Sequence, residues 1–180
     1  MKNTKLVSVL IAYIIFVVIH EGLHVVTSLA FNEYQSFVIH SFGFEVIFMT
    51  PVELREGFQW FIISGTSNIV TPILGLILLR NVHSFALKQN LSSAVVYWLT
   101  IILLIGDPFN LFLGPFLYGG DAFGIAEGLS MPVYFVQIAA FLVLLVNREL
   151  VAVKLLPEYN IETRHPLFIP WFMRKQTKTK

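Results

Sequence analysis

The chain has 180 residues, 56% of them hydrophobic and only 13% charged, with a net charge of +1 and a mean hydropathy of +0.75. So apolar and charge-poor a composition excludes an ordinary soluble domain and marks an integral membrane protein, and so small a net charge carries no signature of nucleic-acid binding. Cysteine is absent from the sequence, which removes disulfides, thiolate ligands and a cysteine nucleophile and leaves His, Asp, Glu and Asn to hold any metal.

Four apolar stretches, 6–31, 58–79, 91–113 and 131–153, reach the roughly 20 residues that a helix needs to cross a bilayer core. The first is too long for a secretory signal peptide and lacks a small-residue cleavage site, so it is expected to remain as a span. Within it stands His20-Glu21-Gly22-Leu23-His24, an HExxH sequence. One turn apart on a helix face, the two imidazoles can grip a single zinc ion while the Glu21 carboxylate handles the protons of a water beside it. Charged groups in the middle of a span cost about 2.5 to 3.5 kcal/mol each on insertion scales when nothing pairs with them, so a bound cation is the expected partner.

Residues 34–50 are rich in aromatic and β-branched side chains, with Ser41 and Gly43 near the middle. They predict a membrane-associated hairpin between the first and second spans, whose backbone must pack on helices or line a wet cavity. In the second span, Ser64-Gly65-Thr66-Ser67-Asn68 precedes Pro72, and small residues of this kind let helices approach closely. Counted at about 1.5 Å per residue, Asn68 and His20 reach nearly the same depth, so Asn68 is expected to bond near the metal or to a substrate carbonyl.

Gly106-Asp107-Pro108 and Gly114-Pro115 predict two breaks in the third span. A zinc centre built on two histidines needs a third protein ligand and an open position. Asp121 is the preferred third ligand, because Gly119 and Gly120 free the backbone before it and a short helix toward Gly128 can start there. Asp107 is the second choice, and before Pro108 it suits a capping or turn role equally well. The spans make residues 1–153 a polytopic membrane core. Residues 154–180, with three prolines, read as an interfacial segment ending in a basic tip, with Trp171 and Phe172 as anchors.

Lysine and arginine orient the spans. Lys2 and Lys5 precede the first, Arg80 and Lys88 lie between the second and third, and the run from Arg148 to Lys180 ends or follows the fourth, so eleven of the twelve basic residues share one side and Arg55 alone lies on the other. This predicts a multi-pass protein of the cell membrane with both termini cytoplasmic.

His20-Glu21-Gly22-Leu23-His24, Gly65 with Asn68, and Asn110 with Pro115 followed by Gly119-Gly120-Asp121 together resemble the site-2 protease family of intramembrane zinc metalloproteases, over about 6–128. The resemblance implies Zn²⁺ held by His20, His24 and Asp121, Glu21 as the base, Asn68 and Asn110 close to the substrate, and a membrane-protein substrate cut in or beside the bilayer. The pattern departs from the family at three points: no proline follows Gly65, Asn110 and Pro115 are five apart, and Asp121 comes after its glycines. The better-known members also place their site toward the cytoplasm, whereas the basic residues here put it toward the opposite face. The same ligands would equally serve a non-catalytic metal sensor or carrier, which has no need of a base at Glu21.

Overall fold

The computed structural model describes residues 2–40, 43–87, 90–118 and 120–172; Ser41, Lys88, Gly119 and the basic tip from Arg174 onward lie outside the described residues. In chain order come α1 (Lys2–Ala30), the strands β1 (Tyr34–His40) and β2 (Gly43–Phe48), α2 (Gln59–Arg80), the short α3 (Val82–Ala86), α4 (Leu91–Leu117), the short α5 (Asp121–Gly128) and α6 (Val133–Leu150). A π-helical turn, Val151–Leu155, carries α6 on to Glu158. Among the described residues, four helices are long and apolar enough to cross a membrane: Lys5–Ala30, Gln59–Arg80, Leu91–Leu117 and Val133–Glu158. This is the make-up of a multi-pass helical membrane protein.

The helices pack as a layered bundle, with α1 on α2 and α4, α4 on α6, and α5 seated against α2 and α6. One apolar cluster joins Leu79, Leu104, Val151 and Leu155. A second gathers Ala122, Ile125 and Ala126 of α5 with Val136 of α6. Outward faces are apolar too: Ile138, Leu142 and Val146, each four residues from the last, are all exposed on α6. Lipid contact requires such a stripe, because the bilayer core offers no partner for polar groups.

The third span departs from expectation. Instead of breaking at Gly106 to Pro108 and at Pro115, α4 runs without interruption to Leu117 with both prolines inside it. Pro108 has no N–H to give to the Leu104 carbonyl four residues earlier. Asn147 of α6 supplies the missing donor, its Nδ2 lying 2.7 Å from that carbonyl. A neighbouring helix therefore repairs the gap that proline opens, and the helix has no reason to end there. Asp107 in consequence is neither a turn nor a cap but a fully buried residue in mid-helix.

The hairpin forms where expected, antiparallel from Tyr34↔Phe48 to His40↔Gly43 with a bulge between Tyr34 and Ser36. Its base is closed by Glu33, whose carboxylate accepts from Thr50 N at 3.1 Å and Thr50 Oγ1 at 3.0 Å. Strand β2 lies against α1, and Phe48 packs edge-on to the buried Trp60 of α2. At the other end of the chain the segment after α6 folds back onto it. Arg148 donates to the Leu167 carbonyl at 2.6 Å, to the Pro166 carbonyl at 3.0 Å and to Glu149 at 2.6 Å. Glu149 in turn accepts from the backbone N–H groups of Trp171 and Phe172.

Candidate metal centre

His20 and His24 sit on the inner face of α1, 8% and 3% exposed. The four-residue spacing brings their rings to 4.8 Å between centroids and their Nε2 atoms to 3.2 Å. The third group comes from 97 residues further on: Asp121, the first residue of α5, places Oδ2 at 3.3 Å from His24 Nε2 and 3.5 Å from His20 Nε2. Three donor atoms from two helices thus form a nearly equilateral triangle. The buried His20, His24 and Asp121 cluster can hold a metal ion.

Close approach of α5 to α2 makes this possible. A Cβ on Gly124 would fall 2.0 Å from Ser64 Oγ, and one on Gly128 only 2.1 Å from the backbone N of Phe61. Only glycine fits at either position, and the pair spells Gly-x-x-x-Gly, the small-residue spacing that lets two helices touch backbone to backbone. That spacing was a legible signal for where α5 docks. Burial on its own would push the Asp121 carboxyl up; with the His24 and His20 rings protonated beside it, it lies well below the usual carboxylate range.

The groups behind the triangle fix its orientation. His24 Nδ1 lies 2.8 Å from the Ile63 carbonyl, so Nδ1 carries the proton and Nε2 keeps its lone pair for the cluster. His20 Nδ1 is 3.0 Å from Asp107 Oδ1. The contact is at ion-pair distance but off the direction in which an N–H would point, since Nδ1 has no aligned hydrogen-bond partner. The other oxygen of Asp107 takes the Thr71 hydroxyl. Asn68, expected from its depth to bond near a metal or a substrate carbonyl, donates its Nδ2 to Asp121 Oδ2 at 2.9 Å. Ser67, read from sequence only as one of a run of small residues, places Oγ 2.9 Å from His24 Nε2.

Asp107 therefore stands behind His20 rather than in the triangle, while Asp121 stands in it. With α4 running on to Leu117 instead of ending at 113, Asp107 lies about 15 Å from that end, level with His20 in α1. Glu21 and Asn110 line a cavity of about 180 Å³ that also reaches His20, Phe16, Phe44 and Gly106. Asn110 accepts the Tyr118 hydroxyl and stands apart from the triangle. Phe48 of the hairpin covers His24, with ring centroids 6.3 Å apart. Comparison with protein-family models, with curated proteins and with solved structures finds no match to this chain.

Proposed function

We propose that this protein is an intramembrane zinc endopeptidase of the site-2 protease kind, cleaving a membrane-embedded or membrane-proximal protein. The spacing of the three donor atoms carries the reading: donors about 2.1 Å from a tetrahedral zinc stand about 3.4 Å from one another, and the three edges here are 3.2, 3.3 and 3.5 Å. Two neutral imidazoles and one carboxylate are a donor set that suits Zn²⁺. The outer partner of His24 points the same way, since a ligating imidazole usually gives its other nitrogen to a carbonyl or carboxylate, and the Asp107 carboxylate stands 3.0 Å from the other nitrogen of His20.

Bound there, zinc would act as a Lewis acid toward a peptide carbonyl and acidify a water. Glu21 is the chain's own contribution to the chemistry: next to His20 and on the wall of the same cavity, it takes the water's proton and returns it to the departing amine. Asn68 holds Asp121 by its Nδ2, so the ligand carboxylate cannot swing away. A substrate helix must unwind to reach the centre. The hairpin, laid beside α1, gives the extended segment a strand to pair with.

Metal analysis of the purified protein in detergent, combined with cleavage of a library of quenched-fluorescent peptides carrying apolar spans, tests this. Glu21→Gln is expected to keep its zinc and to lose about a hundred- to ten-thousand-fold in cleavage rate. Wild-type cleavage by that variant, or none by the unaltered protein, overturns hydrolysis as the function. The orientation belongs to the same proposal, with both termini cytoplasmic and the centre nearer the opposite face of the cell membrane. Cysteines introduced at Lys2 and Glu53 should be labelled from outside intact cells only at Glu53; labelling at Lys2 instead reverses it.

A further inference from the structure

Beside the triangle, on the side of Glu21, lies the cavity of about 180 Å³ between α1, β2 and α4. Its polar lining is His20, Glu21, Asp107 and Asn110, its apolar walls are Phe16 and Val17 of α1 and Phe44 of β2, and Gly106 of α4 forms part of its lining. Phe16, Val17 and Phe44 are all half-buried, so each shows apolar surface to the space. A Cβ on Gly106 would meet the tip of Phe16 at 3.4 Å, ordinary contact, so the glycine leaves room that any branched side chain would take up.

Size decides what the space can hold. Pockets for whole small molecules run to about 300–1,000 Å³, and this one falls short. An apolar cavity of about 150 Å³ takes up one benzene, which is the scale of a single leucine, methionine or phenylalanine side chain. Charge narrows the choice further. Glu21 and Asp107, both on the lining, repel an acidic group.

We infer that this cavity is the subsite that receives one medium-sized apolar side chain of the peptide, next to the bond to be cut, and that Gly106 and Phe44 set its capacity. The inference rests on the peptidase reading above and deepens it. The side chain enters between the hairpin and α1, and its backbone is thereby held across Glu21 and the His20 edge of the triangle. Residues on either side of the cavity come from elements far apart in the chain, so the preference is a property of the fold.

The test needs no cleavage. The Co²⁺-substituted protein in detergent, followed by its visible spectrum, is titrated with acetohydroxamate, with 4-methylpentanohydroxamate and with 6-aminohexanohydroxamate. All three offer the same metal-binding group and differ in the chain behind it. The branched apolar chain is expected to bind at least about tenfold more tightly than the methyl compound, since each buried methylene adds several-fold in affinity. Gly106→Val should abolish that advantage, and Phe44→Ala, acting from the hairpin side, should move the preference to a larger phenyl-bearing hydroxamate. Cobalt content checks that both variants keep the centre. Equal binding of all chains, an advantage that persists unchanged in both variants, or tightest binding of the amine overturns the subsite. If the hydroxamate pattern holds while no peptide is cut, hydrolysis fails and the subsite stands; if peptides are cut without the pattern, hydrolysis stands and the subsite fails. Failure to take up metal removes both.

Discussion

Among the described residues, two buried clusters of ionisable groups lie in this bundle, and they are built on opposite plans. Around Arg148 and Glu149 every charge has its counterpart: the guanidinium is spent on Glu149 and the backbone carbonyls of Pro166 and Leu167, the carboxylate on Trp171 and Phe172, and the Trp171 ring lies 3.9 Å over the guanidinium carbon. Around His20 and His24 the balance is different. Asp107 and Asp121 both stand against the imidazoles, and among the described residues His20 Nδ1 and Asn68 Oδ1, on side chains that reach the triangle, are buried without a hydrogen-bond partner. A self-contained cluster holds structure together. One that gathers carboxylates and imidazoles at such distances can hold a cation.

The contrast is sharpest under substitution. Asp121→Ala, like His20→Ala or His24→Ala, is expected to abolish stoichiometric metal in elemental analysis, while Glu149→Gln leaves metal content unchanged. Metal retained in Asp121→Ala, or lost in Glu149→Gln, would erase the distinction. Glu149→Gln should act on stability instead: breaking a buried ion pair costs about 3–5 kcal/mol, read as a lower denaturation temperature and as faster proteolysis of the segment after Tyr159.

Asp107 offers a finer cut. It touches the centre only through His20, so Asp107→Asn, which keeps the shape and removes the charge, is expected to weaken metal affinity by about 10–100-fold without abolishing binding. A fall as complete as that of Asp121→Ala would make Asp107 a ligand. No change would make it a packing residue only. Affinity by chelator competition distinguishes the three. Because the imidazoles must be neutral to bind metal, affinity in every retaining variant should fall as pH is lowered through the histidine range. The smallest effect is expected at Asn147. Its loss in Asn147→Leu leaves the Leu104 carbonyl without the donor that replaces Pro108, at a cost of about 0.6–2 kcal/mol. Thermal unfolding should move slightly while metal content stays whole.

The three side chains that can hold a metal, His20, His24 and Asp121, were not equally legible in the sequence. The HExxH spacing is local, and a helix of any context puts His20 and His24 on one face. The choice of Asp121 over Asp107 is not local. Both follow glycine, and depth counted on a helix expected to end at 113 could not separate them.

The amino-acid sequence by itself determined the apolar spans, the hairpin between the first two and the histidine pair, because hydropathy, strand composition and helical period depend on residues within a few positions of one another. Tertiary structure alone decided the rest. Asn147 on one helix answers a proline on another and so keeps α4 whole, which carries Asp107 behind His20. Gly124 and Gly128 let α5 settle on α2, which brings Asp121 into reach of His24 across 97 residues. Both outcomes depend on which backbones can approach and which freed carbonyls find a donor, and those are properties of packed pairs of helices that no single segment carries.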